Sequence, residues 1–283
     1  MKLITWNIQW GRGVDGKVDL ERIVQDARAL ADFDVLCLQE VSSGYPELAG
    51  CDGRDQFREL ASLLPGFIAI EGVATEAPDD AGRRRRFGNM ILSRFPALQV
   101  FRNMLPWPAE DGIKSMQRMA LEATLDTPLG LIRVTTTHLE YYSERQRHAQ
   151  VGRLRDMHEE AVGHAMSTHA GKLADGPFLI PPRGAAAILT GDFNMPPDSP
   201  DKAWVEAPFD SGIPAYRDAW TALHPDVPHP PTIGLYDREQ WPEGSSSFDF
   251  IFVTEDLLPR LSRLQADDAS RASDHQPVLV ELA

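Results

Sequence analysis

Near the amino end, apolar positions switch between two periods. Residues 2–7 (Lys-Leu-Ile-Thr-Trp-Asn) form a short run rich in β-formers and predict a strand. Leu20, Ile23, Val24, Ala27, Leu30 and Ala31 then fall at helical spacing behind Asp19, a residue suited to cap a helix start. Residues 34–39 read as a buried strand ending in Glu40. The spacing is that of a β-α-β unit, which puts Asn7 and Glu40 at the same end of parallel neighbours. Open α/β sheets bind ligands at that end.

A second helix is expected over 55–64, closed by Pro65-Gly66. Strand-like runs follow at 67–71, 89–93, 97–104, 118–125 and 131–137, the last two joined as a hairpin through 126–130. Ser143 and Gln146 have capping-box spacing. They open a long polar helix to about His164, read as an outer, solvated helix that stops at a polar stretch and Pro181-Pro182. The apolar run 185–189 leads into Thr190-Gly191-Asp192-Phe193-Asn194. Residues 195–245 are irregular, and 248–253 and 277–282 supply the final strands. No long repeat period marks a solenoid or propeller. A weak strand-helix-strand symmetry between the halves suits two packed sheets with helices outside, and residues 1–283 read as a single domain.

Composition narrows the classes. With 42% hydrophobic and 25% charged residues, wholesale disorder is excluded. No apolar run approaches the ~20 residues of a membrane span. The start reads directly as a strand and lacks a secretory leader's pattern, so a cytoplasmic location is expected. Cys37 and Cys51 are too few for a disulfide framework and are read as thiols. The 28 basic against 42 acidic residues, a net charge of −14, argue against a protein that coats nucleic acid. They do not exclude an enzyme acting on phosphates, because carboxylates can hold a divalent cation that supplies local positive charge.

Several strand-to-loop junctions end in the same kind of polar residue, each expected where an apolar strand stops: Asn7, Glu40, Asn89, His138, Asp192 with Asn194, Asp249, and Asp274 with His275. Buried polar groups need partners, since burying them alone costs several kcal/mol. If the strands are parallel neighbours, their ends converge, and Glu40, Asp192, Asp249 and Asp274 meet His138 and His275 in one cleft. Oxygen-rich clusters of this kind suit Mg²⁺, Mn²⁺ or Ca²⁺ better than zinc. Carboxylates, imidazoles and amides around such an ion fit attack of water on phosphorus.

Seven motifs occur in order: Trp6-Asn7, Leu38-Gln39-Glu40, Gly88 to Ser93, Thr137-His138-Leu139, Gly191 to Asn194, Phe248 to Phe252, and Ser273 to Val278. The set resembles the endonuclease/exonuclease/phosphatase superfamily and spans almost the whole chain. The resemblance implies a four-layer α/β-sandwich, two packed mixed β-sheets flanked by helices, with the site at the mouth between the sheets. It implies Glu40 as principal metal ligand, with Asn7 and Asp274 close to the metal or its waters. His275 would contact the scissile phosphate and move protons, with Asp249 setting its tautomer. Asp192 would position or deprotonate the attacking water, and His138 would be the second histidine on the phosphate. Asn194 and Asn89 would bind phosphate oxygens or hold the catalytic shell, and Arg118 would be a further substrate contact. His138, and Gln9 where AP endonucleases carry aspartate, resemble the DNase, sphingomyelinase and phosphatase branches. The family's late Arg-Ile-Asp is here Ser247-Phe248-Asp249, which removes a local salt bridge but keeps the aspartate. Glu140-Tyr141-Tyr142 resembles bacterial members and names no substrate.

The expected activity is therefore a Mg²⁺- or Mn²⁺-dependent phosphohydrolase, acting on nucleic acid, a nucleotide, or a phosphorylated lipid or sugar. A nuclease is the nearer alternative, and a non-catalytic binding module on the same fold the more distant one. No protein partner is implied. A glycosidase with paired carboxylates leaves the histidines and asparagines unexplained. Individually, Asp192 and Asn194 also fit an Asx-turn. The run Arg83–Arg86 is read as a solvated loop balancing Asp79 and Asp80 rather than a phosphate grip. The remaining histidines, including His164 and His169, show no ligand spacing. Trp107, Trp204, Trp220 and Trp241 are read as either groove lining or packing.

Overall fold

The computed structural model describes residues 1–167, 176, 181 and 183–283; His169 and Pro182 fall outside them. In chain order the strands are β1 (Lys2–Asn7), β2 (Val35–Ser43), β3 (Ile68–Pro78), β4 (Arg84–Ser93), β5 (Ala97–Met104), β6 (Met119–Thr127), β7 (Gly130–His138), β8 (Ala187–Asp192), β9 (Tyr216–Asp218), β10 (Asp249–Thr254), β11 (Leu261–Ala266) and β12 (Val278–Leu282). The helices are α1 (Leu20–Leu30), α2 (Gln56–Leu63), α3 (Glu144–Met166), α4 (Pro200–Val205) and α5 (Ala219–Leu223). Two six-stranded sheets result, ordered β11-β12-β1-β2-β4-β3 and β5-β6-β7-β8-β10-β9. This is the four-layer sandwich expected.

Each sheet has one parallel pair at its centre, β1 with β2 and β7 with β8, and antiparallel strands outside. Parallel neighbours need a long crossover, here α1 in one sheet and α3 in the other. Both faces of each sheet are covered, so alternation along a strand separates two apolar layers rather than core from water. Leu3, Val35 and Cys37 face the other sheet, meeting Leu121, Val134 and Ile188. Their chain neighbours Ile4, Leu36 and Leu38 point outward onto Ile23 and Val24 of α1 and Phe57 and Leu60 of α2. On the second sheet Leu189, Phe250 and Phe252 meet Leu154 and Met157 of α3.

Local signals set the helix starts. The Asp19, Asp55 and Ser143 side chains accept the backbone N–H groups of Arg22, Arg58 and Gln146. The Gln146 side chain does not close a box; it donates to the Pro108 carbonyl at 3.0 Å. Helix α3 is not the solvated outer helix its polarity suggests. Val151, Leu154, Met157, His158, Ala161 and Val162 are buried against the second sheet. Polar residues on its inner face have tertiary partners: Arg133, fully buried, reaches Glu122 at 3.1 Å and His158 Nδ1 at 2.7 Å, and His158 Nε2 reaches the Pro214 carbonyl at 2.8 Å.

The arginine run is a strand, not a loop. Arg84–Arg86 lie in β4, opposite β3. Arg83 pairs with Asp79 at 2.8 Å, Arg84 with Glu76 at 2.7 Å, Arg85 with Glu47, and Arg86 with both Glu71 and Asp55 at 2.7 Å. These charges are balanced within the fold, though by more carboxylates than Asp79 and without a pair to Asp80. Both cysteines are free thiols. Among the described residues no helix is long and apolar enough to cross a membrane.

Candidate active site

The carboxyl ends of β1 and β2 face those of β7 and β8 at one mouth of the sandwich. Asn7 pairs with Gln39 across the first parallel pair, and His138 with Asp192 across the second. Asp249 arrives differently from expectation: it begins β10 rather than ending a strand. Because β10 runs antiparallel to β8, its first residue lies opposite Asp192, the last of β8. Asp274 and His275 lie on the segment just before β12.

Glu40 also departs from a simple strand end. Strand β2 continues to Ser43, and its register against β4 slips between Leu38 and Val41. A bulge of this kind re-aims a side chain. Glu40 takes a φ of 61° there and faces the cleft. Among the described residues four non-glycine residues have left-handed backbone: Gln9, Trp10, Glu40 and Asn194. All four line this cleft. Such conformations cost about 1–3 kcal/mol each and collect where function demands a particular aim.

A cleft of about 700 Å³ opens over these residues, lined by Glu40, Asp192, Asp274, His138 and His275 among others. Asn7 sits at its floor. Its Nδ2 donates to Glu40 Oε1 at 3.2 Å and Asp192 Oδ2 at 3.0 Å, and lies 3.5 Å from His275 Nε2. Its Oδ1 accepts the Gln9 backbone N–H at 3.0 Å. His138 Nε2 lies 3.4 Å from Asp192 Oδ2, and its Nδ1 lies 3.9 Å from Glu40 Oε1. His275 Nδ1 meets Asp249 Oδ2 at 2.8 Å, while Nε2 faces Asp192 Oδ2 at 3.7 Å. Asp274 Oδ2 accepts from Gln9 at 3.1 Å and from the Trp241 indole at 3.2 Å.

Asn194, held by its own backbone N–H on Asp192 Oδ1 (2.9 Å), donates its amide to the Leu139 carbonyl at 2.9 Å. Arg118 lines the cleft and pairs through Nε with Glu140 at 3.3 Å. Asn89 lies below it, buried in β4, donating to the Met119 carbonyl of the other sheet at 3.3 Å. It is not among the cleft-lining residues.

Sequence reasoning marks Gln9, Trp241 and Glu140 but gives none of them a role as a support of the site. Thr232 is a further support: its Oγ1 accepts the backbone N–H groups of Phe248 (3.0 Å) and Asp249 (3.1 Å), and its carbonyl accepts that of Gln276 (2.7 Å). One residue of the irregular region thereby clamps the segments carrying Asp249 and His275. A lone threonine in a Pro-rich stretch gives no signal of this. Trp204 and Trp220 pack on the core, and Trp241 lines the cleft. His148 and His229 do find carboxylates through tertiary contact, Asp201 at 2.8 Å and Asp218 at 2.5 Å.

Burial pushes the Asp192 carboxyl well up, reinforced by Asp249 and opposed by His275. Burial works against the charged form of His275, but Asp249 and Asp192 outweigh it and hold the imidazole protonated. His138 is pushed the other way, first by burial and then by the positive charges of Arg118 and His275. Glu40 is raised by burial and by Asp274, against the hydrogen bond from Asn7.

Glu40, Asp192, Asp249 and Asp274 form no ion pair with lysine or arginine among the described residues; their only basic partners are the two histidines. An excess of carboxylate oxygen with a free cleft face fits a hard divalent cation. The tightest set of ligand atoms is Asp192, Asp249 and His275, all within 4.8 Å of one another. Within it, however, Asp249 Oδ2 and His275 Nδ1 are already bonded to each other. Glu40 and Asp274 line the open cleft, whereas Asp249 is not among its lining residues.

A double-sheet α/β sandwich with a carboxylate, amide and imidazole site at the common mouth of its sheets is a recognisable class of hydrolase scaffold. The chain belongs to the Endonuclease/Exonuclease/phosphatase family, whose model matches residues 4–275. Members of that family hydrolyse phosphate esters. Among solved structures the chain is similar to an endonuclease/exonuclease/phosphatase from Beutenbergia cavernae at 23% identity, with a TM-score of 0.64 over 100% of this chain and 72% of that one. It is similar to a mannosyl-6-phosphatase from Bacteroides thetaiotaomicron at 18% identity (TM-score 0.66, 100% and 99% covered). It is also similar to a 3′ phosphatase from Neisseria bound to a product DNA hairpin, at 19% identity (TM-score 0.63, 100% and 99% covered). A search of curated proteins finds no match.

Proposed function

We propose that the protein, acting as one unit over residues 1–283, is a divalent-metal-dependent phosphohydrolase that cleaves a phosphate ester by direct attack of water. The observation that carries this reading is Asn7, whose single amide contacts Glu40, Asp192 and His275 and so ties the prospective metal ligand to the acid–base pair. Glu40, Asp274 and the Asn7 amide would hold Mg²⁺ or Mn²⁺. When bound, such an ion neutralises phosphoryl charge and polarises the P–O bond.

The chain's own residues supply the proton chemistry. Asp192, with its carboxyl raised toward neutrality, accepts the proton of the attacking water. The water oxygen forms the new bond to phosphorus and the ester P–O bond breaks. His275, kept protonated by Asp249, donates to the phosphoryl group and protonates the leaving oxygen. Neutral His138 and the Asn194 amide line the space where the phosphoryl oxygens lie. Asn89 supports the floor from below, and Arg118 offers its guanidinium from the wall.

Hydrolysis of bis-p-nitrophenyl phosphate in Mg²⁺ and in Mn²⁺ tests the reading, with EDTA and His275→Ala as controls. Turnover lost in both controls is expected; turnover that survives both would overturn it. The nuclease alternative gains support from the similarity to a phosphatase bound to a DNA hairpin. Against it, Lys114 and Arg118 are the only lysine or arginine side chains lining the cleft among the described residues. Binding to polymeric nucleic acid rests on neutralising many phosphates.

A further inference from the structure

Tyr141 and Tyr142 have no part in the chemistry above, yet the turn that carries them is unusually well built. Glu140 is fully buried. Its Oε1 accepts the backbone N–H groups of both Tyr141 and Tyr142 at 3.0 Å, and its Oε2 takes Arg118 Nε at 3.3 Å. From α3, Arg147 Nη1 donates to the carbonyls of Glu140 (3.0 Å) and Tyr141 (3.2 Å), and Gln150 accepts the Glu140 N–H at 2.9 Å. A turn fixed by this many bonds nevertheless exposes its two rings: Tyr141 is 42% and Tyr142 52% accessible. Packing alone does not call for such a platform. Holding large aromatic side chains rigid in water is the arrangement of a binding surface whose ordering cost is met before the ligand arrives.

The platform is continuous with the reactive centre. Tyr141 lies edge-on to Tyr142 (centroids 4.9 Å) and to Trp241 (6.0 Å), and the Trp241 indole donates to Asp274 at 3.2 Å. All three rings line the cleft, and Lys114 sits 5.4 Å over the outer face of Tyr142. Rings therefore run from a prospective metal ligand to the rim. The nearby amides are engaged elsewhere: Gln9 donates to Asp274 and Gln240, and Gln240 to Asp237. The Gln9 and Gln240 amides beside Trp241 are thus taken, while the exposed rings of Tyr141 and Tyr142 offer flat apolar surface on which a base can stack.

We infer that the Tyr141–Tyr142 turn is a base-binding subsite, and that the substrate is a small nucleotide ester whose base stacks there while its phosphate reaches Asp192 and His275. The assignment rests on the phosphohydrolase reading for the second half of that statement. Size follows from charge: among the described residues Lys114, Arg118 and the protonated His275 are the cationic side chains lining the cleft, enough for one or two phosphates, and the Arg83–Arg86 run is already paired.

The test compares two chromogenic diesters with one leaving group, thymidine 5′-p-nitrophenyl phosphate and methyl p-nitrophenyl phosphate, in Mn²⁺. The thymidine ester should be favoured about tenfold in kcat/KM, mainly through KM, as expected for one stacked base. In a Tyr141→Ala/Tyr142→Ala variant this ratio should collapse toward unity, whereas Tyr141→Phe/Tyr142→Phe should preserve it. A ratio within each variant is insensitive to a general loss of folded enzyme. Binding of thymidine 5′-monophosphate, followed by quenching of tryptophan fluorescence, is read in parallel. If neither ester is hydrolysed but the monophosphate binds and the alanine pair weakens it, the subsite stands and the hydrolase reading falls. No preference between the esters, a preference that survives the alanine pair, faster turnover of mannose 6-phosphate, or tighter and steeply salt-dependent binding of an oligonucleotide would each overturn the inference.

Discussion

Thr232 shows how much of the site depends on a residue that never touches substrate. Its hydroxyl oxygen serves two backbone N–H groups, that of Asp249, buried, and that of Phe248, partly buried. Thr232→Val keeps the shape and leaves both donors unpaired, so it should cost about 1–3 kcal/mol of stability for each group left buried and unsatisfied. Thr232→Ser should cost far less, and urea unfolding of the two variants measures the difference. Asp249→Asn tests the partner of His275 directly. By analogy with other His–Asp pairs, it should lower kcat by on the order of 10³–10⁴ with little change in fold, because the imidazole loses the carboxylate that sets its tautomer. An unchanged kcat would remove Asp249 from the mechanism. At this scale the sequence exposed the reactive types well: the residues of the seven motifs meet at one mouth, save Asn89, which lies beneath it. The supporting roles were hidden: Gln9 and Glu140 stand out only as points of resemblance and Thr232 not at all, because all three act through tertiary hydrogen bonds that leave no local pattern.

Helix α3 illustrates the same limit for an element. Its composition is polar, and its inner face hides polar groups that only the sheet beneath can satisfy. His158 is the most consequential. Its Nδ1 accepts from Arg133 and its Nε2–H donates to Pro214, which leaves no room for a second proton beside the guanidinium. Burial, followed by the Arg133 charge, lowers its pKa to about 4. The unfolded imidazole titrates near 6.5, so the unfolded chain binds the extra proton first. Stability should therefore be undiminished above about pH 6.5 and fall as the pH drops toward about 4, by about 3 kcal/mol in all, and then level off with respect to this group. Urea midpoints across that window should show the loss. A His158→Gln variant should lack this component of the slope; an identical slope would contradict the account. Elements with clear apolar periods were legible: β1, α1 and β5 fall where the pattern puts them. Strand β9, helices α4 and α5, and edge strand β11 were not anticipated, being short or lacking a clean alternation. The outer halves of β3 and β4 are held by arginine–carboxylate pairs, which carry no hydrophobic signal.

For the molecule as a whole, the parallel pairs β1–β2 and β7–β8 were foreseeable in part, the first from its spacing. Strand direction in β10 was not, and it is direction that delivers Asp249 to Asp192. A cation held by Glu40 and Asp274 would bind only the folded chain. Mn²⁺ at about 100 times its dissociation constant should then raise stability by about 2.7 kcal/mol, visible as an upward shift in Tm. EDTA should abolish the shift and Glu40→Gln should greatly reduce it. A native protein whose Tm ignores both Mg²⁺ and Mn²⁺ would exclude the metal site proposed.

The Asn7 amide reaches Glu40 on its own sheet and Asp192 on the other, and beneath it Gln39 Nε2 spans the same divide from Thr5 (3.2 Å) to Thr136 (2.9 Å). Neither sheet owns the site. A fragment ending before β5 would carry only Asn7, Glu40 and Asn89, one beginning there would carry the other reacting groups, and neither would have the alignment. Turnover is thus a gauge of assembly: a refolding chain can form either sheet early and remain inert, and activity should return only with the final docking of one sheet on the other. Substitutions deep between the sheets, far from any phosphate, should then disturb catalysis by letting the two halves slide.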